Sequence, residues 1–145
     1  MVDAYRLAEN VKVVDSAVYC YVNNSDSVTR NTDISAIEDV DNLLIKLYEL
    51  CLVNPDLNEL YKQSAVREVL SLIRNLARFE SNQLYMPVSN MVCQPYFSYL
   101  MEGFASHRYS RRLISEVKNR ITIRLLLARR VMAAIGFTKF VYGVC

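Results

Sequence analysis

Apolar residues recur along this chain at steps of three and four, the spacing of one face of an α-helix. Over 3–22 that face is Ala4, Leu7, Ala8, Val11, Val14, Val18, Tyr21 and Val22. Val11, Val13, Val14, Val18 and Val22 are β-branched, so a strand over 11–22 is the competing reading. Residues 23–33 are polar turn formers and predict a loop. A second helix is expected to start near Asp33 or Ser35, with Ser35 and Glu38 spaced as a capping box. Its stripe is Ile34, Ile37, Val40, Leu44, Leu47, Tyr48 and Cys51. Asn54-Pro55 ends it, because proline pushes the residue before it out of the helical region. The same pair can cap a short new helix over 55–62.

Ser64 is the expected cap of the next helix, whose buried face is Val66, Val69, Leu70, Ile73, Leu76 and Ala77. Residues 81–94, with Pro87 inside, read as a connector. Pro95 then opens a short helix holding Tyr96, Phe97, Tyr99, Leu100, Met101 and Phe104. Residues 106–135 contain neither Pro nor Gly and predict one long terminal helix, with Gly136 at its end. The apolar tail 137–145 either docks on the bundle or frays. No repeat, low-complexity tract or domain boundary interrupts the chain. The expected architecture is therefore a single all-α domain over 1–145, a compact bundle of about five or six helices with a long basic amphipathic C-terminal helix.

Charge sharpens the picture of that last helix. The net charge of +2 conceals two opposed parts. Residues 1–103 hold 8 Lys/Arg against 14 Asp/Glu, a net of −6, and residues 104–145 hold 9 against one acid, Glu116, a net of +8. Advancing about 100° per residue from Arg111 places Ile114, Val117, Ile121, Leu125, Ala128, Met132 and Ile135 between about 240° and 320°. That stripe is expected to face the core. Arg111, Lys118 and Arg129 then lie near the origin, and Arg108, Arg112 and Arg130 between about 60° and 100°. These six cations would share a solvent face about 33 Å long, enough to follow several phosphates. Arg120 and Arg124 fall on the other flank of the stripe. Arginine holds a phosphate through two hydrogen bonds, and neutralising phosphates releases counterions.

The leading expectation is thus a non-enzymatic protein that binds nucleic acid, RNA first, with little sequence preference. Arg108, Arg111, Arg112, Lys118, Arg129 and Arg130 would contact the phosphates, and Phe104 and Tyr109 could stack on unpaired bases. A plain solvated face is the bland alternative. The functional alternative is a helical adaptor, or a self-assembling homo-oligomer, whose same surface meets acidic side chains. Asp33, Glu38, Asp39 and Asp41 crowd the start of the second helix and could supply them, within one chain or head to tail between chains. A basic amphipathic helix can also lie on an anionic membrane; that option is set aside here because the stripe is needed for the core.

Little else in the sequence carries chemistry. Three Gly and no GxGxxG or GxxxxGK[ST] exclude a glycine-rich phosphate loop. His107 is the only imidazole, so a Cys or Ser nucleophile has one possible base, and Cys93 lies 14 residues from it. Asp39 and Asp41, two places apart on a helix, point in different directions. Cys20, Cys51, Cys93 and Cys145 show no CxxC spacing, so no metal or cofactor is expected. The longest apolar runs, 17–22 and 131–137, fall far short of the ~20 residues that cross a bilayer. No secretory leader is visible, which makes Asn23-Asn24-Ser25 an empty glycosylation match and points to a cytoplasmic or nuclear protein. Tyr96, Tyr99, Phe97 and Leu100 either line a groove for a partner helix or form ordinary core and rim. By size and class the chain resembles helical groove-binders of the apoptosis-regulator type in architecture alone, since their NWGR signature is absent. Its short, cysteine-bearing, Arg-rich pattern is similar to that of small viral accessory proteins that bind RNA.

Overall fold

A computed structural model describes residues 34–78, 84–104, 108 and 112–142. The expected helix or strand within 3–22 and the loop over 23–33 lie outside the described residues.

Ile37, Leu44, Leu47 and Cys51 return to one side of a helix, and α1 (Ile34–Val53) buries all four. The helix already includes Ser35, so Ser35 is not its cap. Asn54 leaves the helical region (φ −125°, ψ 78°), as the residue before a proline must. Pro55 opens a single 3₁₀ turn, Pro55–Leu57, which runs directly into α2 (Asn58–Leu76). The expected short helix over 55–62 and the separate helix capped by Ser64 are therefore one element. Nothing between 58 and 64 breaks it, and Tyr61 and Ala65 extend the apolar stripe back by about one and a half turns. Packing along that stripe outweighs the capping preference of Ser64.

The connector over 81–94 also contains a helix, α3 (Tyr85–Val92), which buries Val88, Met91 and Val92. Pro87 is tolerated because it sits in the first turn, where backbone N–H groups have no acceptor within the helix. Pro95 starts α4 (Pro95–Met101) as expected, and a 3₁₀ turn over Glu102–Phe104 prolongs it. Phe97, Leu100, Met101 and Phe104 all enter the core.

The expected single rod over 106–135 is two helices, α5 (Leu113–Leu127) and α6 (Val131–Tyr142). Arg129 adopts φ 57°, in the left-handed region. Its N–H donates to Leu126 O at 2.8 Å, and the Arg130 N–H donates to Leu125 O at 2.8 Å. These two bonds are the Schellman pair that closes a helix C-terminus. Glycine normally occupies the left-handed position. Here an arginine does, which is why the stop is invisible to a search for glycine. Gly136, read as the end, lies inside α6.

Among the described residues the architecture is all-α, with six α-helices. α2 is central. It packs against α1, α4, α5 and α6, and buries eight residues of its own. α1 also leans on α3 and α4, and α6 reaches α3. The core is one cluster centred on Leu44, Val66, Val69, Ile73, Phe97, Leu100 and Leu126. Burial of each such side chain is worth about 1.5–3 kcal/mol. No helix among the described residues is long and apolar enough to cross a membrane.

Candidate interaction surface

α5 and α6 form an antiparallel hairpin, visible in which residues meet. Lys118 reaches Val141, Asn119 reaches Tyr142, and Thr122 reaches Thr138. The seam is polar. The Lys118 ammonium donates to Val141 O at 2.6 Å and lies 5.0 Å from the centre of the Tyr142 ring. The Tyr142 hydroxyl donates to Asn119 Oδ1 at 3.3 Å, and the Thr122 and Thr138 hydroxyls are 3.3 Å apart. Each hydroxyl also bonds a carbonyl one turn back, Thr122 to Lys118 O and Thr138 to Ala134 O. Glu116, only 4% exposed, pairs with Arg120 at 3.2 Å. The Arg120 guanidinium sits 5.2 Å from the centre of the Phe104 ring.

The face that α5 buries is thus Glu116, Asn119, Thr122, Ile123 and Leu126. This corrects the expected orientation of the stripe. Ile114 is 72% exposed and Val117 48%, and Ile121, Ala128 and Met132 are exposed as well. Leu125 is half-buried, and only Ile135 is buried as expected. The projection treated 106–135 as one rod. The reversal at Arg129 takes Met132 and Ile135 out of α5's register. It also lets Lys118, Asn119 and Thr122 of α5 find partners on α6. Leu113 extends the exposed apolar face of α5. On α6, Met132, Ala133, Gly136 and Phe140 face outward, Phe140 at 85% exposure, with no charge among them.

The six expected phosphate contacts do not form one strip. Arg108 and Arg112 are exposed ahead of α5, and Arg129 and Arg130 are exposed in the turn behind it. About 22 Å of helix separates the two pairs. Lys118, half-buried between them, is committed to Val141 and Tyr142. Arg111 lies outside the described residues, as do Tyr109 and His107. The sign of the surface is nonetheless uniform. Glu116 is the only acid over 104–145 and it is buried, so Arg124, Arg129 and Arg130 face solvent with no exposed acid beside them on either helix.

The tyrosine cluster is rim packing between α1, α2 and α4. The Tyr96 hydroxyl donates to Asp41 Oδ1, and Asn58 Nδ2 donates to the Tyr99 hydroxyl at 2.9 Å. Tyr48 stands edge-on to Tyr99 at 5.3 Å, and Lys62 lies 4.0 Å from the Tyr99 ring centre while pairing with Glu102. Burial raises the Tyr96 phenol well above its ordinary value, and the hydrogen bond to Asp41 and that carboxylate's charge raise it further. Phe97 and Leu100 are fully buried and belong to the core, while Tyr96 and Tyr99 are half-buried at its rim. Cys51 is buried, with its thiol pushed up by desolvation, and Cys93 is exposed. Among the described residues no three His, Cys, Asp or Glu side chains come together as metal ligands.

No family model matches this chain, and neither does any curated protein or solved structure.

Proposed function

We propose that this protein is a non-enzymatic helical interaction module that docks a protein partner on the outer face of α5 and α6. The observation that carries the reading is the inversion of α5. Its polar side is buried and its apolar side, Leu113, Ile114, Val117 and Ile121, is turned to water. A contiguous apolar face gains nothing by facing solvent, and covering the 37–72% of each side chain still exposed recovers that share of the about 1.5–3 kcal/mol of a full burial. The bordering cations select the partner: an apolar helix or sheet face with acidic edges.

The test is a fluorescence anisotropy titration of the full chain against a labelled amphipathic peptide with leucines along one helical face and glutamates at its edges. Binding is expected. It should fall at least tenfold in Ile121→Asp, with circular dichroism checking that the variant keeps the fold. Equal binding by wild type and Ile121→Asp, or none by either, overturns the reading.

The uniformly positive surface supports a second reading, contact with a phosphate polymer such as RNA. It ranks behind the first because its cations sit at the two ends of α5 and Lys118 is already engaged. Titration with single- and double-stranded RNA at several salt concentrations separates the two. An RNA site predicts a steep loss with salt and a further loss in Arg129→Ala/Arg130→Ala.

A further inference from the structure

A second exposed apolar face lies on the outer side of α1. Ile34, Ile45 and Leu52 are exposed there, and at about 100° per residue they fall within about 60° of one another, together with Glu38 and Glu49. The ridge is about 27 Å long and its charges are carboxylates. Neither glutamate has an ion pair among the described residues. On α5, Leu113, Ile114, Val117 and Ile121 share an arc of about 100°, and Arg124 falls within it, about 20° from Leu113. Arg124 likewise has no ion pair among the described residues. One face is apolar with acids, the other apolar with a cation.

We infer that these two faces are the halves of one contact between copies of this chain, α5 of one molecule lying on α1 of the next. The inference rests on the docking reading above and names the partner. Three observations lead to it. Both faces point to solvent in the same molecule, since α1 packs on α2, α3 and α4 while α5 packs on α6, α2 and α4, so they can meet only between molecules. A two-fold contact of α1 on α1 would set Glu38 against Glu49, and one of α5 on α5 would leave Arg124 without an acid to oppose it. A single α5-on-α1 contact covers both apolar faces and opposes their charges. It also gives a use to the division of the chain into a negative first part and a positive last part. Because the two patches differ, the contact is heterologous and repeats into a ring or an open filament.

The experiment is sedimentation velocity on the full chain over a range of concentrations and at low and high salt, with Ile121→Asp blocking the α5 face and Leu52→Lys blocking the α1 face. Circular dichroism checks that both variants keep the fold. Wild type is expected to grow with concentration and to shrink with salt. Each variant alone should stay monomeric. An equimolar mixture should form a 1:1 heterodimer and stop there, because each variant retains one intact face. Self-association of Leu52→Lys alone overturns the proposal in favour of a two-fold α5 contact. A wild type that is monomeric throughout also overturns it, and the accompanying measurement then says what covers α5. Peptide binding lost in Ile121→Asp leaves the docking reading standing with a different protein as partner. Binding to phosphatidylserine-containing vesicles, lost in Ile121→Asp, assigns the face to a lipid surface.

Discussion

Replacing Arg129 by glycine distinguishes the hairpin from the continuous rod by the sign of its effect. In the hairpin, Arg129 holds φ 57° and is exposed, so its side chain packs on nothing that the substitution would disturb. An L-residue in the left-handed region costs about 1–2 kcal/mol. Glycine relieves that cost but restores roughly 0.4–1 kcal/mol of unfolded-chain entropy. The net expectation is stabilisation by about 0.5–1 kcal/mol, or roughly 2–4 °C in Tm for a domain of this size. Were 128–130 in the middle of a helix, the same change would destabilise by about 1 kcal/mol. Arg129→Ala is the control. It removes the cation but keeps a Cβ in the strained position, so it should give no gain, and a small loss from weaker complementarity to the α5 C-terminus. Urea denaturation followed by circular dichroism reads all three proteins. Destabilisation by glycine, or equal stabilisation by alanine and glycine, would refute the Schellman turn as the reason the rod breaks.

Three further outcomes follow from the geometry. Ile123→Ala should cost about 2–4 kcal/mol in chemical denaturation because Ile123 is 1% exposed, whereas Ile114→Ser should stay within about 0.5 kcal/mol; the reverse order would restore the stripe to the core. Gly136→Ala should raise stability by about 0.5–1 kcal/mol in a thermal melt, since Gly136 lies within α6 and a Cβ there meets nothing within 4 Å. The folded Tyr96 holds its proton to higher pH than the unfolded chain does, so its contribution is whole below about pH 10 and fades as pH rises beyond it. The alkaline loss of stability should therefore be shallower in Tyr96→Phe than in wild type, measured as the difference in urea midpoint between pH 8 and pH 11.

The face of α2 was legible because apolar periodicity there coincides with burial, and that of α1 in its centre, whereas Ile34, placed in the same stripe by spacing, is exposed and Val40 and Tyr48 are half-buried. Ile37, Leu44, Leu47 and Cys51 on α1, and Val66, Val69, Leu70, Ile73, Leu76 and Ala77 on α2, are all in the core. Local chemistry misled where a residue had two uses. Ser64 has the type of a cap and the position of a mid-helix residue. Pro87 reads as a breaker and occupies the one turn that accepts it. The candidate site was legible in its charge and not in its shape. Nine cations in the last part of the chain could be counted, but whether six of them formed one strip depended on the conformation of a single arginine.

Composition and spacing by themselves determined the helical class, the interior of α1, α2 and α4, and the separation of negative from positive charge. Those properties follow from which residues are present and how far apart they stand. Tertiary structure alone decided where the last segment folds back and which side of α5 meets water. A helix with two usable faces buries the one whose partners are on hand. Once α6 returned along α5, Asn119 and Thr122 found theirs, Glu116 paired with Arg120 on α5 itself, and Ile114, Val117 and Ile121 were left outward.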